Sequence, residues 1–315
     1  MFRSILVPLD GSDLSHHAVL PAGDIARRLG ASLSLAVVHP WGPAEDAPFS
    51  GTRADRELRA EEEQYLRTMR ERVARAFPLP LEPVLLRGDP APALAAFAAE
   101  RRVDLVVCTT RGRSALGRAL RGGVSLQLAH SIPCPALFIK PGAEASATPD
   151  PDGFTRILVP LDGSPTAEAA IEPALALAAP RGAVLYLVRI VSPLRLGGRT
   201  LAARRHEASR YLNEVAARLD PRGVRVECRM ATRSDVGAAI ARLAEHWEVD
   251  LLAIATRERG EGERMLLGSV ADRVVHLAGV PVLVCHGAVR RALPEVSGAA
   301  AAWPLVPLLP APATG

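Results

Sequence analysis

The chain has 315 residues, of which 49% are hydrophobic, 23% charged and 4% aromatic, with a formal net charge of +4. At roughly 100–200 residues per domain this length fits about two domains, and the composition excludes wholesale disorder. So small a net charge argues for neither nucleic acid nor a membrane surface as partner.

The opening run Ser4–Leu9 is apolar and closes on Asp10-Gly11-Ser12, which predicts a buried strand and a turn. Ser12 is placed to cap the following helix, and Gly30 to end it in a left-handed conformation. Leu33–Val38 reads as a second strand. A long helix is expected from Ala54 to Phe77, with Leu58, Tyr65, Leu66, Met69, Val73 and Phe77 on one face. A third strand at Leu81–Leu86, a helix at Pro92–Arg101, a fourth strand at Leu105–Thr109, a helix at Arg118–His130 and a fifth strand at Ala136–Ile139 follow. Uniformly apolar strands alternating with helices indicate a parallel sheet covered on both faces.

The same pattern then returns. Ile5-Leu6-Val7-Pro8-Leu9-Asp10-Gly11-Ser12 reappears as Ile157-Leu158-Val159-Pro160-Leu161-Asp162-Gly163-Ser164, and Val103-Asp104-Leu105 as Val249-Asp250-Leu251. His130 is echoed by His276 and Pro135 by Pro281. The second copy has strands at Arg156–Leu161, Val184–Val191, Leu251–Ala255 and Val282–Cys285. The chain thus divides into a first domain over 1–141, a linker over 142–155, a second domain over 156–287 and an Ala/Pro-rich tail over 288–315.

No C-x-x-C pair occurs among Cys108, Cys134, Cys228 and Cys285; Cys108 and Cys285 lie in apolar runs and read as buried thiols. The N-terminus lacks a signal-peptide core, and no uninterrupted apolar run reaches the ~18 residues of a transmembrane helix, so a cytoplasmic setting is expected. Lys140 is the only lysine and lies in Ile139-Lys140-Pro141, which excludes a Walker A loop. Neither G-x-S-x-G nor H-E-x-x-H is present, and no acid/base pair stands out, so no catalytic residue or metal site is assigned. His16-His17 read as surface histidines, and His130 and His276 as helix-end stabilisers.

In an open α/β sheet, ligands bind beyond the carboxyl ends of the strands, where the strand order reverses. Two loops meet that criterion. The Asp10-Gly11-Ser12 loop, with Asp162-Gly163-Ser164 in the copy, carries a carboxylate that either accepts from a ligand or ties down the turn. The stretch Thr109 to Gly123 is basic and glycine-rich and runs into a helix, a combination that favours phosphate.

With ILVPLDGS, Val-Asp-Leu-Val before the fourth strand and Ala129-His130-Ser131-Ile132-Pro133-Cys134-Pro135, the chain resembles the universal stress protein family in its tandem two-domain form. That resemblance implies two open five-stranded parallel, Rossmann-like sheets in the order 3-2-1-4-5, with helices on both faces. It also implies pairing of the two domains through their fifth strands, with homodimerisation left open. Members that bind ATP are similar in a G-x-x-G, nine-residue, G-[ST] motif after the fourth strand. Here Thr109, Gly112, Gly122 and Gly123 occupy those positions, with Arg111 and Arg113 inside the loop and Val124 following it. The resemblance places Pro8, Asp10 and Val38 at the ribose and adenine side. In the second domain Asp162, Ile190, Gly268 and Ser269 match, whereas Ala255 and Glu258 replace the first two glycines, and a carboxylate at 258 repels phosphate.

The function implied is ATP binding in a stress response, with or without magnesium, better supported in the first domain, and with slow hydrolysis at most. A tandem scaffold acting through protein partners is the alternative, and an adenylating enzyme a more distant one.

Overall fold

In the computed structural model, the described residues are 2–40, 53–109, 128, 131–132, 134–140, 153–180, 182–193, 200–219, 224–256 and 268–286. The expected helix at Arg118–His130 lies outside them except for Leu128, and the tail lies wholly outside. Two compact units meet in sequence between Gly153 and Phe154.

The first unit runs β1 (Ser4–Leu9), α1 (Asp13–His16), α2 (Val19–Leu29), β2 (Ser32–His39), α3 (Arg53–Ala76), β3 (Leu81–Arg87), α4 (Pro90–Glu100), β4 (Leu105–Thr109) and β5 (Ala136–Ile139). Its strands lie in the order β3-β2-β1-β4-β5, all parallel. Ile5, Leu6 and Val7 are fully buried on consecutive positions, so both faces of β1 are covered. Pro83 is tolerated in β3 because that strand is at the end of the order, where a missing N–H breaks no ladder on its outer side.

The helices follow from local signals. Ser12 Oγ accepts from Ser15 N at 3.3 Å, as an N-cap should. Gly30 ends α2 at φ +63, with its N–H directed at Ala26 and Arg27 carbonyls. In α3 the buried positions are Leu66, Met69 and Val73, and Leu58, expected on the same face, is 40% exposed. The apolar stripe therefore begins later than the periodicity suggests.

The second unit runs β6 (Arg156–Pro160), α5 (Pro165–Glu168), α6 (Ile171–Leu177), β7 (Val184–Val191), α7 (Leu201–Leu219), β8 (Arg225–Thr232), α8 (Val236–His246), β9 (Leu251–Thr256), α9 (Ser269–Leu277) and β10 (Val282–His286). Its order is β8-β7-β6-β9-β10, again all parallel.

The repeat extends to backbone detail. Arg102 and Glu248, equivalent in the two copies, are the non-glycine residues with positive φ among those described, at 51 and 50. Asp104 accepts from Arg3 N at 2.8 Å and Ser4 N at 3.0 Å. Asp250 likewise accepts from Thr155 N at 2.7 Å and Arg156 N at 2.9 Å. The Val-Asp-Leu motif is thus a carboxylate clamp on the first backbone N–H groups of the central strand. Phe154, within the expected linker, is fully buried, and its N–H donates to Leu177 O at 3.2 Å. The second unit therefore starts at least two residues before 156.

All four cysteines are free and buried. No helix among the described residues is long and apolar enough to cross a membrane.

Candidate functional site

The strand order reverses between β1 and β4, and again between β6 and β9, so the loops after these strands border each unit's crevice. After β1, Asp10 Oδ1 accepts from Ser12 N at 3.1 Å and Ser12 Oγ at 2.5 Å. After β6, Asp162 Oδ1 accepts from Ser164 N at 2.9 Å and Ser164 Oγ at 2.5 Å. One oxygen of each aspartate therefore ties down the turn, the second of the two roles open from sequence. Gly11 and Gly163 have φ of +73 and +87, which makes glycine the residue these turns require.

The two turns differ in what lies above them. Among the described residues, a Cβ added at Gly11 would have nothing within 4 Å, whereas at Gly163 it would run into the guanidinium of Arg189. Arg189 sits on β7 at the position of Val37 on β2, and its guanidinium also stacks 5.2 Å from the Tyr211 ring centroid. The sequence reading missed Arg189 because a cation inside an apolar strand says nothing about where it reaches.

Val38 and Ile190 are half-buried in their strands, so each offers a partly open apolar surface near the crevice. Pro8 is half-buried and Asp10 exposed. Thr109 ends β4 with its side chain only 4% exposed, and Ala255 holds the same place in β9. Gly268 caps α9, a Cβ there would meet nothing among the described residues within 4 Å, and Ser269 is exposed beside it. Arg111, Gly112, Arg113, Gly122, Gly123, Val124 and Glu258 lie outside the described residues.

Beside the first crevice, the last residue of β2 carries a cluster that sequence reading did not identify. His39 is 2% exposed; its Nδ1 lies 2.6 Å from Glu62 Oε2 and its Nε2 2.9 Å from Asp55 Oδ1. Carboxylates only accept, so both contacts are satisfied at once only by the doubly protonated ring. Burial pulls the imidazole pKa down, but its hydrogen bonds to Asp55 and Glu62 outweigh that and the net shift is upward.

His16 corrects its assignment to the surface. It is half-buried and stacked on Tyr65 with centroids 5.4 Å apart. Burial and the nearby Arg72 guanidinium lower its pKa, and its Nε2 has no partner among the described residues. At the equivalent place in the second unit, Glu168 accepts from Tyr211 OH at 2.9 Å and Arg218 Nη2 at 2.6 Å. His276 fits its expected role: it is in the last turn of α9, with Nδ1 2.8 Å from Asp272 O.

Fold and crevice together define a tandem doubly wound α/β protein. The profile of the Universal stress protein family matches residues 1–140 and again 153–286. A universal stress protein of Mycobacterium tuberculosis (strain ATCC 25618 / H37Rv) is 30% identical over 295 residues, spanning 90% of this chain and 97% of its own. One from Methanocaldococcus jannaschii is 30% identical over 141 residues, spanning 44% of this chain and 83% of its own. A crystal structure of a universal stress protein from Archaeoglobus fulgidus shares the fold, with a TM-score of 0.67 at 21% identity over 90% of this chain and 98% of that one. The chain belongs to the universal stress protein family and carries its domain twice.

Proposed function

We propose that the first unit holds an adenine nucleotide and that the second does not hold one equally well. The observation that carries this reading is the contrast over the two turns: among the described residues, nothing stands above Gly11, whereas the Arg189 guanidinium stands above Gly163. Open space, an exposed carboxylate at Asp10 and the half-buried apolar face of Val38 fit a ribose and a base at the end of β1 and β2. Gly112, Gly122 and Gly123, with Arg111 and Arg113, supply the glycine-rich basic stretch for the phosphates.

In the second unit Asp162, Ile190, Gly268 and Ser269 keep the pattern, but Arg189 fills the space over the turn and Glu258 brings a carboxylate to the phosphate side. We assign no catalytic residue. The four buried thiols suit a reducing, cytoplasmic setting.

The test is calorimetric titration of the full chain with ATP and magnesium, alongside Gly112→Glu and Gly268→Glu variants. The reading expects one equivalent, weakened at least about tenfold by Gly112→Glu, a loss of ~1.4 kcal/mol, and unchanged by Gly268→Glu. Loss of binding in Gly268→Glu alone would reverse the assignment of units. No heat at all would favour a scaffold that acts through protein partners.

A further inference from the structure

A cavity of about 260 Å³ opens in the second unit between α8, the end of β8 and α9. Three arginines reach it from three elements: Arg233 from the loop after β8, Arg242 from α8 and Arg273 from α9. His246 stands one turn beyond Arg242 on the same face of α8, and Leu243 contributes an apolar wall. One carboxylate, Asp235, also lines it. Its Oδ1 caps α8 by accepting from Ala238 N at 3.0 Å, and its Oδ2 orients Arg273 at 2.6 Å. Arg233 Nη1 also donates to Thr232 O at 2.8 Å, so the lining holds three guanidiniums against one carboxylate, a cationic excess that an anion would offset.

The first unit is an internal control for this charge. Along the repeat, Arg233 and Asp235 have the counterparts Arg87 and Asp89, so the loop and the cap are shared. Arg242, His246 and Arg273, by contrast, replace Ala96, Glu100 and Gln127. All three differences are in the basic direction and all three fall on the cavity lining. A solvated helix face drawn at random has no reason to concentrate them there.

We propose that this cavity is an anion site for the phosphate group of a small ligand. It is built from elements other than the β6 turn and does not depend on the nucleotide reading of the first unit. Guanidinium forks match phosphate oxygens bidentately, and the imidazole adds a donor when protonated. The volume, at or below the lower end of ordinary ligand pockets, suits a compact anion.

The experiment titrates the full chain with pyrophosphate and follows the His246 ring signals by NMR, assigned with His246→Gln. A saturable shift of those signals is expected. Arg242→Ala, and separately Arg242→Ala with Arg273→Ala, should weaken the response at least about tenfold while the melting temperature stays close to that of the parent. Citrate should bind more weakly than pyrophosphate. No saturable shift, a shift untouched by both variants, or citrate binding as tightly as pyrophosphate would each overturn the proposal.

Discussion

The His39 imidazole meets Glu62 Oε2 at 2.6 Å through Nδ1, pinning the end of β2 to the middle of α3. Asp55, in the first turn of the same helix, holds the other ring nitrogen at 2.9 Å. The second unit solves the same junction differently. Val191, Leu201 and Ala208 stand at the positions of His39, Asp55 and Glu62, and Val191 and Ala208 are buried. One protein thus carries a charged and an apolar version of one tertiary contact.

This pair predicts a mutational asymmetry. Removing one member of a buried ion cluster strands the others, whereas replacing the whole cluster with packed apolar groups is often neutral or better. Glu62→Ala should destabilise the chain by about 2 kcal/mol. The triple exchange His39→Val, Asp55→Leu, Glu62→Ala should recover most of that loss, read by urea denaturation. A triple variant weaker than the single one would show that the ion cluster, and not mere filling, holds the junction.

The same cluster sets a pH dependence. The folded-state pKa of His39 lies above its unfolded value of 6.5, so its contribution is complete below that value. It declines as pH rises through the folded pKa, because the protonated ring is then lost. Stability measured upward from pH 6.5 should therefore fall, and the slope should flatten in the triple variant. His16 acts in the opposite sense, since its pKa is lowered in the fold, and its cost appears as pH drops below 6.5. A His16→Gln variant should flatten that acid side alone.

In the second unit Glu168 satisfies both Tyr211 OH and Arg218 Nη2. Burial, with the Glu168 carboxylate beside it, pushes the Tyr211 hydroxyl pKa upward. Glu168→Ala leaves both donors facing a cavity and should cost about 2–3 kcal/mol. Tyr211→Phe should cost roughly 1 kcal/mol. Equal small losses in both, by thermal or chemical denaturation, would mean that water replaces the carboxylate.

Arg189 should control access to the second crevice. Arg189→Val restores the first unit's residue and clears the space over Gly163, and Glu258→Gly removes the second obstacle. The double variant should bind ATP with a stoichiometry above that of the parent, measured by calorimetry. An unchanged stoichiometry would show that neither residue is what distinguishes the two units.

Much of the architecture was legible in the sequence because its causes are local. Ile5–Leu9 is apolar throughout because both faces of β1 are covered, and Gly30 ends α2 because only a left-handed residue fits there. The duplicated ILVPLDGS fixed the two-domain organisation and placed Asp10 and Asp162 at strand ends. What could not be read were contacts made at a distance. His39 and its carboxylates are separated by 16 and 23 residues, and no periodicity joins a strand end to a later helix. Arg189 drew no remark within the expected strand Val184–Val191, since only the fold shows that it reaches over Gly163. His16 read as a surface histidine because nothing local in the sequence joins it to Tyr65, the ring it stacks on.

The two units should differ in nucleotide occupancy. Native mass spectrometry of the full chain with ATP and magnesium reads that difference. One added nucleotide per chain, lost in Gly112→Glu and retained in Gly268→Glu, is the predicted result. Two nucleotides per chain in the parent, or none, would contradict it.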